Sequence, residues 1–311
     1  MIRHTFLATV SFLALTLGVA VPGWAQRFQQ VPNAILFQVA PGAVSVWGMT
    51  TCQPNCFTNS IDQYVAGQFR QVSSPTEFAH VSVGGGSVMQ FDEVWATDRN
   101  GNIFQWDNYA QTFHQVAGSM RDVEVGQGYS ACHPYEVWGT DANHEVWRFN
   151  YCTHNFDFIG GFFNGLSTGG GEVWALNGYN QVFRFNFSTN QFDLMPGSMT
   201  QISVGAGGVW GTSYAATVSS VWQFDPSTQN WQQLPGPMDE IVAGADGVFA
   251  SFNSYVDGPN AYRLDPSTRT WTLVGPSSGS FSPIGSMATG TGGGTWLTGQ
   301  IEQPTYYYLS F

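Results

Sequence analysis

The sequence contains no lysine: its nine cations are all Arg, set against 21 acids for a net charge of −12 over 311 residues. So few cations exclude a nucleic-acid partner, because phosphate binding needs a basic face. They also disfavour an anionic membrane surface. Charged residues of both signs reach only 10%, against roughly 25% in ordinary soluble domains, so ion pairs are not the main source of order. Cysteine is sparse as well. Cys52, Cys56, Cys132 and Cys152 form a Cys-x3-Cys and a pair 20 residues apart, a poor match to zinc spacings. Apart from the N-terminus, no apolar run is long enough to span a membrane as a helix. Walker, H-E-x-x-H, G-x-S-x-G and sialidase-type Asp-box patterns are missing. His80, His114, His133, His144 and His154 show no i, i+2 pairing for a strand-borne metal site and read as solvated loop residues. The expectation is a protein without catalysis, metal or cofactor.

What is abundant points elsewhere. Hydrophobic residues make up 43%, enough for a sizeable core, and 15% aromatics with 37 Gly suit an all-β chain with many tight turns. Arg3, the charge-free run from Phe6 to Ala20 and the small residues around Gly23-Trp24-Ala25 read as a secretory signal over residues 1–25. A retained signal anchor is the alternative. Residues 26–311 then form the exported domain, periplasmic or extracellular. Export permits disulfides, with three connectivities open for four cysteines.

One unit recurs seven times. Its centre is Val46-Trp47-Gly48, Val94-Trp95-Ala96, Val137-Trp138-Gly139, Val173-Trp174-Ala175, Val209-Trp210-Gly211, Val248-Phe249-Ala250 and a degenerate Thr295-Trp296-Leu297, with a period of about 42. Upstream lies a short strand ending in Gly, as in Val81 to Gly84, Val123 to Gly126, Ile202 to Gly205 and Ile241 to Gly244. Downstream come a strand with alternating bulky residues, such as Val146 to Asn150, and an aromatic-x-x-apolar strand, such as Phe156 to Ile159. Asp98 to Asn102 and Asp141 to His144 are hairpin turns between the second and third strands; Asp225 to Thr228 and Asp265 to Thr268 join the third and fourth. Four strands per period predict an all-β, seven-bladed β-propeller of four-stranded antiparallel blades. The last unit stops after three strands, at Tyr306 to Leu309. Phe28-Gln29-Gln30-Val31-Pro32 repeats the pattern of Trp231 to Pro235, so an N-terminal strand completes the last blade and closes otherwise open edges.

In such a ring Trp47, Trp95, Trp138, Trp174, Trp210, Phe249 and Trp296 are interblade core. Cys132 and Cys152 fall in loops at the same end of one blade, which favours their pairing. Cys52 and Cys56, both in one long loop, are then left to each other.

The units resemble tectonin β-propeller repeats in Val81 to Gly84, Val94 to Asp98, Asn100-Gly101, Val221 to Asp225 and Trp231 to Gly236, over about residues 27 to 311. The D-P-S-T-x-x-W segments at Asp225 and Asp265 are shared with kelch propellers, whose double-Gly strand is not repeated. The tectonin resemblance implies a secreted lectin for methylated or bacterial-surface glycans. Members usually have five or six blades, so seven is a departure. A ring of shallow sites would give avidity by multivalency. Candidate stacking residues at or near loops are Trp106, Tyr109, Tyr129, Tyr135, Tyr179, Tyr214 and Tyr255; Asp98, Asp141 and Asn177 are candidate hydroxyl partners, with turn formation as the plainer role. Asp98 to Asn102 resembles part of a calcium loop but lacks the terminal Glu. Asn186-Phe187-Ser188 is a glycosylation sequon. The expected partner is a glycan or glycoconjugate bound by a monomer, the alternative a scaffold for protein partners. The terminal Phe311 resembles that of outer-membrane barrels, but a period of about 42 with four strands argues against one.

Overall fold

The computed structural model describes residues 29–31, 36–51, 59–72, 78–85, 91–205, 207–215, 218–254, 258–275, 284–289, 295–299 and 306–309. The signal segment, Cys52, Cys56 and Tyr255 lie outside them. Every helix or strand among the described residues is a strand. Six sheets, over 36–71, 78–116, 122–162, 165–198, 201–234 and 240–275, each hold four consecutive antiparallel strands. They are blades one to six of an all-β propeller. A further four-stranded sheet has the order Gln29–Gln30, Tyr306–Leu309, Thr295–Gly299, Ile284–Thr289, with Gln29 opposite Tyr308. No described helix is long and apolar enough to cross a membrane.

The turns follow their sequence chemistry. Asp98 accepts the backbone N–H groups of Asn100 and Asn102, and Gly101 takes the left-handed φ of +83° that the hairpin needs. Asp141 and Asn177 accept the corresponding N–H groups in blades three and four.

The core lies between blades and obeys one rule. The second-strand Trp of a blade packs edge-on against third- and fourth-strand aromatics of the next. Trp95 meets Phe149 and Phe156, Trp138 meets Phe185 and Phe192, and Trp174 meets Phe224 and Trp231, at centroid distances of 4.6 to 6.1 Å. Trp47 meets Trp106 and Phe113 in the same way, and Trp296 meets Tyr64 and Phe69 of blade one. All seven repeat aromatics are at most 2% exposed. Area alone makes each worth about 2–3 kcal/mol or more, with the edge-to-face geometry adding to it. In blades one to four the indole N–H has a partner. Two residues earlier on the same face stands its acceptor: Glu93 for Trp95, Glu136 for Trp138, Glu172 for Trp174 and Ser45 for Trp47.

The first strand of every sheet lines a central channel with a cavity of about 480 Å³. Its outer edge pairs with the second strand; its inner edge would leave backbone N–H groups bare. Side chains of the preceding blade satisfy them. Gln38 accepts from Val81, Gln201 from Ile241 and Glu240 from Met287; two residues on, Ser82 accepts from Val125, Ser167 from Val204 and Ser203 from Ala243. The glycine that ends this strand has the same origin. A Cβ on Gly169 or Gly205 would collide with the backbone carbonyl of Val204 or Ala243 in the next blade.

Candidate functional site

Up-and-down strands send the first–second and third–fourth connections to one end of each blade and the second–third turns to the other. The sequence-derived candidates divide between these ends. Tyr109 and Tyr135 share the first end; Tyr179, Tyr214, Asp98, Asp141 and Asn177 stand at the other.

Three expectations need correction. Trp106 is not a loop residue: it lies within Ile103–Asp107, is 3% exposed and has its ring 4.9 Å from Trp47. It fills the interblade gap because this position carries the aromatic that receives the preceding blade's Trp. Asp98 is 5% exposed, and both carboxylate oxygens are taken up inside its turn, one by two backbone N–H groups and the other by the Asn102 side chain. His80 also departs from a solvated-loop role. It sits in Phe78–Gly84 on the channel wall, where Gln38 meets its Nδ1 and Glu124 lies 3.8 Å from its Nε2. Asp141 and Asn177 act in their turns. Tyr179 and Tyr214 are exposed but stand in separate blades. Tyr129 lies in Asp122–Ser130, its side chain outside the described set.

The end that holds Tyr109 carries a formed cleft of about 430 Å³, lined by Phe91, Gln105, Trp106, Asp107, Asn108, Tyr109, His114 and Tyr135. Blade two supplies all but Tyr135, which comes from blade three. Each wall has a local cause. Asp107 accepts the N–H groups of Tyr109 and Ala110 at 2.8 and 2.9 Å, which folds the turn and turns Tyr109 outward, 90% exposed. Those same hydrogen bonds, Ala110 first, hold the Asp107 carboxyl below its ordinary range. Phe91 meets Tyr109 edge-on at 6.0 Å. Tyr135 donates its hydroxyl to the Phe91 carbonyl.

Behind the cleft lies Glu93. One oxygen accepts from the Trp95 indole, the Gln105 amide and the Tyr151 hydroxyl, at 2.5 to 2.8 Å. Burial raises its pKa despite these donors. It also raises that of Tyr151, and pushes Tyr135 up to about 12 with help from the Glu93 and Asp92 carboxylates. His114 contacts the Gln105 amide oxygen through Nε2 at 3.1 Å. The Cys132–Cys152 disulfide, Cα atoms 4.9 Å apart, clips the loops that carry Tyr135 and Tyr151.

Phe91, Gln105, Asp107 and Asn108 were not singled out from sequence, and His114, expected in a loop, lies in the strand Thr112–Val116. The usable signal is Gln105: the position opposite the buried Trp holds Arg148 and Arg184 in blades three and four. The cleft is not repeated round the ring, since the Tyr109 position holds Cys152, Ser188, Ser227 and Ser267 in blades three to six. Among the described residues no three metal-ligating groups converge.

A propeller of four-stranded blades, with an aromatic cleft between two of them, is the class that fold and geometry define. The tectonin domain model matches residues 87–256, more than half of the chain, and the protein belongs to the tectonin family. No curated protein matches the sequence. Similar solved structures include YCF48 bound to D1 peptide, at TM-score 0.65 and 11% identity over 94% of this chain and 99% of that one. Others are the RRP9 WD40 repeats, at 0.60 and 12% over 92% and 99%, and YCF48 from Cyanidioschyzon merolae, at 0.62 and 10% over 91% and 98%. At such identities the likeness concerns the fold alone.

Proposed function

We propose that this is an exported, monomeric, seven-bladed propeller that binds carbohydrate of glycans or glycoconjugates without chemical turnover. The observation that carries the reading is the cleft between blades two and three. Phe91, Tyr109 and Tyr135 offer apolar rings, and Asp107, Asn108, Gln105 and His114 surround them with donors and acceptors. A pyranose has both kinds of surface, apolar C–H faces and an equatorial rim of hydroxyls, and a cleft of this size suits a small ligand. Export fits the apolar N-terminal run and the disulfide. Seven blades fit the pairing of Gln29–Gln30 with the last strand and the seating of Trp296 on blade one. Because the Tyr109 wall is not repeated, one principal cleft replaces the ring of equal sites expected from the repeats. A glycan array probed with the native protein and with Tyr109→Ala tests this: binding that Tyr109→Ala weakens supports it, and no binding to any methylated, plant, fungal or bacterial sugar overturns it.

Protein docking is the second reading. Phe158, Phe162 and Leu194 stand 55 to 67% exposed on the outer strands of blades three and four, and an apolar strip there suits a protein surface better than a sugar.

A further inference from the structure

We infer that the group seated against Phe91, Tyr109 and Tyr135 carries a positively charged nitrogen. Within the carbohydrate reading, on which this rests, the ligand is then a sugar with a free amine or an attached choline rather than a neutral or acidic one.

The argument starts from the repeat. In blades three and four the Glu two residues before the Trp, buried in the first and half-buried in the second, is paired with an Arg on the neighbouring strand. Arg148 grips Glu136 through two nitrogens, at 2.6 and 2.8 Å, and Arg184 holds Glu172 at 2.8 Å. Blade two keeps the acid, Glu93, but replaces the Arg with Gln105. Among the described residues, this is the one blade whose Glu-x-Trp pair lacks a guanidinium, and it is the blade that forms the cleft. Gln105 lines the cleft while its amide touches Glu93. An acid with only neutral donors thus lies directly behind the wall.

Apart from the His114 imidazole, the other chargeable groups at the wall are carboxylates. Asp107 is in the lining, and Asp92, next to Glu93 in the chain, is buried and held by the backbone of Ala43, Val44 and Ser45. No Arg lines the cleft, and the chain has no Lys. A sialic acid, sulfate or phosphate placed here would meet carboxylates and, among the described residues, no Arg or Lys, whereas anion recognition relies on those donors. A cation meets the opposite situation. The negative faces of aromatic rings attract alkylammonium groups by roughly 0.5–2 kcal/mol, and the carboxylates add to it. Burial first, then the nearby Glu93 and Asp92 carboxylates, push the Tyr135 hydroxyl up.

The test is calorimetric titration of the full-length mature protein with a glucosamine trisaccharide, its fully N-acetylated counterpart, sialyllactose and choline alone, at a pH where the amine is protonated. The free-amine trisaccharide is expected to bind roughly tenfold tighter than the acetylated one, with sialyllactose silent. Gln105→Arg installs the guanidinium of blades three and four and is expected to abolish that preference. Asp107→Asn, which keeps the turn acceptor, should reduce it and serves if Gln105→Arg folds poorly. Equal binding of both trisaccharides, or a preference that survives both substitutions, overturns the charge inference and leaves the carbohydrate reading standing. Choline bound without any sugar upholds the charge inference and removes the carbohydrate reading. Silence from every ligand overturns both.

Discussion

The second-strand Trp of blades one to four has two needs, a partner for its face and an acceptor for its N–H, and neighbouring residues meet both. Truncating Trp95 or Trp138 to Ala removes the whole ring and one donor to Glu93 or Glu136; each should cost about 3–5 kcal/mol, read as a lower denaturant midpoint. The Glu136–Arg148 pair is the most buried ion pair described, with side chains 5% and 14% exposed. Arg148 also lies 5.4 Å above the Trp138 ring. Arg148→Met keeps the packing but leaves a buried carboxylate unpaired, so a loss of about 3 kcal/mol is expected in the same unfolding measurement. Glu240 titrates in the opposite sense to a salt-bridged acid. Burial raises its pKa from an ordinary 4.5 to about 7. The folded protein therefore holds this proton more tightly than the unfolded chain. The stabilisation is full below about 4.5 and is lost as pH rises through about 7. Glu240→Gln keeps the acceptor for Met287 and should flatten the stability profile over that window.

At the scale of an element, the inner strand is the unusual one. A strand with one bare edge ordinarily invites aggregation; here the preceding blade's Gln, Glu and Ser side chains cover it, and the terminal glycine lets the blades approach. Gly205→Ala should force the inner strands of blades five and six apart, at about 1–3 kcal/mol, seen as a lower Tm. The connection between Cys132 and Cys152 spans 20 residues. Opening it by Cys132→Ser should cost about 3 kcal/mol in the chain-entropy account. The same substitution loosens the loops bearing Tyr135 and Tyr151, so ligand affinity measured by titration should fall with it.

For the whole molecule, closure matters more than any single blade. Gln29–Gln30 pairs with Tyr306–Leu309, and Trp296 of that sheet seats on Tyr64 and Phe69. In a closed ring, removing residues 27–31 bares an edge and unties both ends. Deletion should lower Tm by several degrees, as the loss of about 1–2 kcal/mol from a chain this size does; an unchanged melt would count against closure. The hydrophobic clusters run radially, between blades, and the channel they surround is lined by polar and apolar side chains alike.

Strand number, blade boundaries, buried aromatics and the Cys132–Cys152 pairing could all be read from the chain, because each depends on spacing within one repeat. A period near 42 and alternation along a strand are local regularities, and every copy reinforces them. The cleft could not be read that way. It depends on which face of Trp106 is covered, on Tyr135 reaching across from another blade, and on a carboxylate whose counter-charge is absent in one unit. Those are relations between residues tens of positions apart, brought together by the stacking of neighbouring blades. Repetition specifies the ring, whereas the departure from it, Gln105 where the two other blades with Glu-x-Trp carry Arg, acquires meaning once the blades are side by side.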